Sequence, residues 1–307
     1  MTDYTASRLG QANTTGDVTA LYQKVFGGEV MTAFEQATVF MSKHFNQPIS
    51  GAKSKQFPIL GRASASYHTV GAEITGSAIA HNERVITVDD MLQSNVFVAD
   101  WDEMVNHYEV RSKYSDELAR KLAQIFDKTI AQVGVLAARA SSPITGENGG
   151  SVLTDANYGT SGAALAAACF DARQIWDESE ITSNPNFFVR PAQYQLLAET
   201  TSILNKDWGG SGSYSRGSVG PISDINVVKT NNLPNSNVNT GPSKYQGNYS
   251  TTVGLFMTDM AVGSVTLKNV SVKSEYQLSR LGTLMVGTLA FGAGVLRPIC
   301  AIEAKTS

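Results

Sequence analysis

Four histidines, two cysteines and a few paired carboxylates are the side chains of this sequence that could do chemistry. His44, His68, His81 and His107 could ligate a metal or move a proton, but either job needs partners at set spacing. None falls in an HExxH pattern or another paired-ligand spacing. Cys169 and Cys300 are far apart and outside any CxxC motif, so no disulfide framework or cysteine-built zinc site is expected. Both read as buried small apolar residues, which suits a reducing compartment. Asp89-Asp90 and the group Asp100, Asp102 and Glu103 read as helix-start charges or a solvated face, because helix N-termini favour acids. His107-Tyr108 sits inside a long helical pattern and reads as packing. A phosphate-binding GxxxxGK, a GxGxxG after a strand, a G-x-S-x-G elbow and a calcium loop are all absent from the sequence. The expectation is therefore no catalytic residues, no metal, no cofactor and no enzyme.

The elements around these residues point toward assembly instead. The chain has 307 residues, 42% of them hydrophobic, enough for a real core. Charged residues make up 17%, against about 25% in an average soluble protein. A poorly charged surface suits a protein covered by partners, and equally a monomer with a Ser/Thr/Asn-rich exterior. Net charge is −3 and no basic stripe is legible, so tight nucleic-acid binding is not expected. Residues 1–20 lack the basic start and apolar stretch of a signal peptide. The longest apolar run, Thr283 to Leu296, is too short to span a membrane. These features predict a soluble protein made in a cytoplasm.

Along the chain, Val18, Leu21, Tyr22 and Val25 recur at helical spacing, and Val30, Phe34, Met41 and Phe45 resume it after Gly27-Gly28. Two glycines within a helical pattern read as a hinge. Phe57 to Val88 reads as a long hairpin with limbs of about 15 residues, which would reach about 50 Å. Between its limbs only Tyr67, Val70, Ile74 and Ile79 are large and apolar. A lone hairpin is marginal in water, so this one needs another surface to lie on. Asp100 to Ala140 reads as one helix of about 60 Å, opened by an Asp100/Glu103 capping box. Its apolar stripe runs Leu118, Leu122, Ile125, Phe126, Thr129, Val133, Leu136 and Ala140, with Arg111, Lys113, Glu117, Arg120, Lys121 and Asp127 opposite.

Residues 141–252 read as a second α/β module. It has helices over Ala163–Trp176 and Pro191–Thr200, and strands over Asn186–Val189 and Ile222–Val228. Its two loops, 209–220 and 231–250, are expected to be mobile. The C-terminal part reads as strands that use the long helix as their partner layer.

Several blocks then resemble the major capsid proteins of short-tailed bacteriophages of the T-seven-like group. They are LYQKVFGGEVMTAF (Leu21 to Phe34), KSKQFPILGR (Lys53 to Arg62), ERVITVDDML (Glu83 to Leu92), NHYEVRSKY (Asn106 to Tyr114), GLFMTDMAVGSVTLKNV (Gly254 to Val270) and GVLRP (Gly294 to Pro298). The match is weakest over 141–252, where only GPISDINVVKTNNLP (Gly220 to Pro234) is recognisable.

The resemblance implies an α+β protein with the tailed-phage, Hong Kong ninety-seven-like capsid fold. It implies an N-terminal arm (1–55), an extended β-hairpin loop (56–88), and a peripheral domain made of the spine helix (89–140) and C-terminal strands (253–307). The axial domain would be 141–252. It also implies self-assembly into hexamers and pentamers of an icosahedral head around double-stranded DNA that is not tightly bound. The implied partners are other copies of the chain, a separate scaffolding protein and a portal protein, with no membrane. The place of action would be the virion, after assembly in the bacterial cytoplasm. Gly27 and Gly28 become the candidate assembly hinge. An encapsulin-like compartment, a hydrolase with an unrecognised site in 141–252, and a host-surface adhesin are the rivals; tandem β repeats, expected of an adhesin, are absent.

Overall fold

The computed structural model describes residues 34, 38–71, 73–74, 76–101, 111–200 and 219–307. The Gly27-Gly28 pair, the segment 18–33, Asp102, Glu103, His107 and most of loop 209–220 lie outside the described residues. The predicted capping box therefore does too.

The organising element is helix α1 (Arg111–Ala138). Its described length of 28 residues corresponds to about 42 Å. Lys113, Glu117, Arg120 and Lys121 are exposed as predicted. Asp127 is not: it is fully buried. The reason is that α1 lies between two sheets rather than on one. From Leu118 onward, Ala119, Ala123, Ile130, Ala131, Val135 and Ala137 are buried beside the expected stripe. A single-stripe reading assumes one solvated side, and half of this helix has none.

The first sheet has four strands in the order β1 (Phe45–Pro48), β11 (Val262–Gln277), β12 (Gly282–Val295), β4 (Leu92–Ala99). β11 and β12 form an antiparallel ribbon of 16 and 14 residues. The period-two alternation over 270–276 belongs to this ribbon, as expected. The second sheet has five strands in the order β5 (Ser151–Thr154), β13 (Ala301–Lys305), β10 (Thr252–Met257), β6 (Asn186–Val189), β7 (Asn226–Lys229). Thus two C-terminal strands pair with strands of the 141–252 module, so one sheet spans the boundary expected at residue 252.

β10 and β13 are buried on both faces. Leu255, Met257 and Ala301 face the core around α1, whereas Val253, Phe256, Ile302 and Ala304 face a second core. That second core is covered by α2 (Gly162–Glu178) and α3 (Pro191–Glu199). Ser161 caps α2 with its hydroxyl on the Ala164 N–H, and Pro191 opens α3 at its first turn. A register shift between Thr252 and Gly254 puts Val253 on the same side as Phe256.

Three expectations need correction. The hairpin ladder is short: β2 (Ser54–Leu60) and β3 (His81–Thr87) share seven residue pairs, about 23 Å of ladder. The Ile222–Val228 strand is broken, because Ser223 and Asp224 take positive φ and fold Ile222 back onto Ile225. Loop 231–250 is pinned rather than loose. It buries Leu233, Tyr245 and Tyr249 in the α1 core, and carries the small ladder β8 (Asn237–Val238) and β9 (Gly247–Asn248).

Candidate interaction surfaces

The residues that could do chemistry are dispersed. His44 is buried, with Nδ1 2.6 Å from the Phe40 carbonyl and Nε2 2.7 Å from the Ser264 hydroxyl. Burial lowers its pKa, and the Phe40 contact opposes this. His68 and His81 are exposed on the hairpin. Cys169 and Cys300 are both buried and free; burial pushes the Cys169 thiol up to about 12 and raises Cys300 as well. Among the described residues, no group of three or more His, Cys, Asp or Glu is placed to hold a metal.

Asp89 is not a helix-start charge. It lies in the turn between β3 and β4, 2.8 Å from Lys244 Nζ, and accepts a hydrogen bond from the Tyr245 hydroxyl. The same hydroxyl accepts from the Ala293 N–H at 2.9 Å. Asp89 thus ties the hairpin root to loop 231–250 and to β12. Asp100 accepts from the Tyr276 hydroxyl at 2.6 Å and so joins β4 to the end of β11.

Two buried carboxylates escaped the sequence reading. Asp127 accepts from the Val39 N–H at 2.8 Å, the Phe40 N–H at 3.2 Å and Asn232 Nδ2 at 3.1 Å. Burial raises its pKa against those three hydrogen bonds. It fixes Val39 and Phe40 to α1, while Phe40 stacks on Phe188 at 4.2 Å. Glu303 is fully buried and holds Arg139 through two 2.6 Å contacts, Nε to Oε2 and Nη2 to Oε1. The sequence signal for Asp127 was its place beside Phe126, deep in the apolar run. Glu303 carried none beyond the apolar neighbours Ala301, Ile302 and Ala304.

The hairpin is built the other way round. Its root is anchored: Phe57, Ile86 and Val88 pack with Val265, Ala290 and Leu296. At Gly292 of β12 a Cβ would lie 2.1 Å from the Thr87 carbonyl oxygen, so only glycine lets β3 cross so closely. Arg62 reaches the end of α2, donating to the Ser179 carbonyl at 2.6 Å and pairing with Glu180 at 2.8 Å. Glu180 takes positive φ at the helix end, where glycine is the usual choice. Beyond this point three large apolar side chains stand exposed. Tyr67, Val70 and Ile74 are 104%, 97% and 81% exposed. A second apolar group, Trp101, Tyr276, Leu278 and Leu281, stands exposed at the end of the four-stranded sheet. These surfaces offer contact area, not a reacting centre.

The comparisons with known proteins agree with that geometry. The model of the family described as Gp10A-like major capsid protein matches residues 56–305. This chain belongs to that family. The major capsid protein of Escherichia phage T7 is 28% identical over 313 aligned positions, covering 92% of this chain and 91% of the relative. Among solved structures, the capsid of cyanophage P-SCSP1u is 39% identical with a TM-score of 0.81, covering 100% of this chain and 99% of its own. The mature capsid of bacteriophage PhiM1 shares the fold at 14% identity and a TM-score of 0.75, over 88% and 87% of the two chains. The chain is a phage major capsid protein with the tailed-phage capsid fold, and the resemblance read from the sequence blocks is correct. It is a structural component of the virion capsid and assembles with its own copies into capsomers.

Proposed function

We propose that this chain forms hexamers and pentamers of an icosahedral head around double-stranded DNA, with no enzymatic step of its own. One observation carries the reading: a hairpin whose root is fixed to the body carries large apolar side chains, Tyr67, Val70 and Ile74, that stand exposed among the described residues. Covering them takes a neighbour, so residues 56–88 lie over an adjacent subunit. The arm, 1–55, crosses another. The region 141–252 surrounds the capsomer centre, and the spine helix with the long ribbon forms the periphery. Each interface is moderate, and the closed shell multiplies them into a stable whole.

A separate scaffolding protein guides assembly in the bacterial cytoplasm, and a portal occupies one vertex. The net charge of −3 suits a wall that confines DNA without gripping it. Gly27 and Gly28 let the arm bend between the local environments of the shell. The test is electron microscopy of the chain expressed in bacteria, alone and with its scaffolding partner. Closed icosahedral particles with the partner, and irregular or no particles without it, are expected. Bulky residues at Gly27 and Gly28 should make the particles aberrant; normal ones would remove the hinge. Uniform small shells without any partner would point to a storage compartment, and a stable monomer in both conditions would overturn the proposal.

A further inference from the structure

We propose that the exposed hairpin tip of one subunit seats in an apolar groove at the hairpin root of a second copy. This rests on the reading of residues 56–88 as a loop lying over a neighbour, and it adds where that loop lands. The groove is lined by Gly51, Ala52, Lys53, Val88, Asp89 and Leu267 and measures about 390 Å³.

Local structure opens this groove in three ways. Gly51 takes φ +71°, and a Cβ there would meet nothing within 4 Å, so the turn between β1 and β2 leaves the floor bare. Leu267 is the extra residue of a bulge: Thr266 pairs with Phe291 and Lys268 with Ala290, leaving Leu267 without a partner in the ladder. A bulge re-aims its side chain, and Leu267 is left 41% exposed. Asp89 is already held by Lys244 and Tyr245, so the uncompensated charge on the rim is that of Lys53.

The tip matches in kind. Residues 63–80 contain one carboxylate, Glu73, and no Lys or Arg. Neither Glu73 nor Lys53 has an ion-pair partner among the described residues. A tip with three exposed large apolar side chains and one acid thus faces an apolar groove with one base. A subunit cannot satisfy itself, because the seven-pair ladder holds tip and root about 20 Å apart. Two other depressions among the described residues fit worse. The cleft beside Arg62 is lined by charged side chains, and the cavity beside Phe34, at about 80 Å³, is too small for Tyr67 and Val70 together. A tip-to-root contact is heterologous, and repeated around an axis it closes a ring, the form a capsomer needs.

The test is disulfide trapping in assembled particles carrying Val70→Cys with Leu267→Cys. The native thiols, Cys169 and Cys300, are buried and do not compete. Mild oxidation should give covalent oligomers up to closed rings on a non-reducing gel, and monomers from either single variant. Tip-to-tip dimers from Val70→Cys alone would overturn the inference, as would monomers from the pair. A second pair, Val70→Cys with Leu281→Cys, separates the two layers of the argument. Trapping there but not at Leu267 removes the groove and keeps the hairpin on a neighbour. Trapping at neither, with Val70→Cys freely labelled by maleimide in intact particles, removes both. Glu73→Lys or Lys53→Glu should each lower trapping at Leu267 about threefold, and the two together should restore it; a double swap that stays low removes the ionic contact.

Discussion

The spine region and the hairpin invert each other. Around α1, charged groups are buried and apolar groups are satisfied by neighbours: Asp127 takes three hydrogen bonds and Glu303 two contacts from Arg139. On the hairpin tip, apolar groups are exposed and none of the described residues covers them. Buried charge must be paired or it costs several kcal/mol, so the spine region sets the fold of one subunit. Exposed apolar area gains free energy only when another molecule removes it from water, so under the proposed assembly the hairpin acts between subunits. The lesson is that stability and assembly are written into different residues and can be broken separately.

The largest expected effect on the isolated subunit comes from Arg139→Ala. It leaves the fully buried Glu303 carboxylate without its partner, a loss of about 3–5 kcal/mol, read from the urea midpoint of the unassembled chain. A cost under about 1 kcal/mol would mean that Thr252, whose hydroxyl donates to Glu303 at 2.6 Å, holds the carboxylate unaided.

A smaller effect follows from His44. Its folded pKa lies below the unfolded value of 6.5 because burial disfavours the charged ring. The unfolded chain then binds more protons in this window, so stability is present above pH 6.5 and is lost as pH falls toward the lowered value. His44→Gln should flatten that acid-side loss relative to the parent chain in unfolding curves taken at successive pH values. Parallel curves would show that His44 does not report the link it makes between Phe40 and Ser264 of β11.

The smallest effect on the subunit, and the sharpest on the shell, is expected at the tip. Tyr67→Ser with Ile74→Ser should change subunit stability by no more than about 0.5 kcal/mol. Particle yield by sedimentation should nevertheless collapse. Unchanged particles would erase the contrast between the two regions.

Much of the local structure was legible in the sequence. Asn186–Val189, with the apolar run Phe187-Phe188-Val189, forms the predicted buried strand. Pro191 marks the start of α3. The alternation across 270–276 gives half of the long ribbon. The hairpin was legible from what it lacks, since a limb with so few large apolar residues cannot bury itself. Asp127 was misread because helical periodicity knows one partner face, whereas α1 has a sheet on each of two sides. Loop 231–250 was misread as mobile because its Asn-rich composition hid three core side chains, Leu233, Tyr245 and Tyr249.

The sequence by itself determined the type of most elements, a hairpin too poor in large apolar residues to bury itself and, through its separated blocks, the capsid family. Periodicity, turn residues and composition are local properties, and those features are local too. Only the tertiary structure decided that β10 and β13 join the strands of the 141–252 module. It alone showed that Asp89 and Glu303 are clamps and that the hairpin root carries an apolar groove. Each depends on contacts between segments tens to hundreds of residues apart, such as Lys244 with Asp89 and Arg139 with Glu303. Those pairings are fixed by how whole layers pack, which no window of the sequence contains.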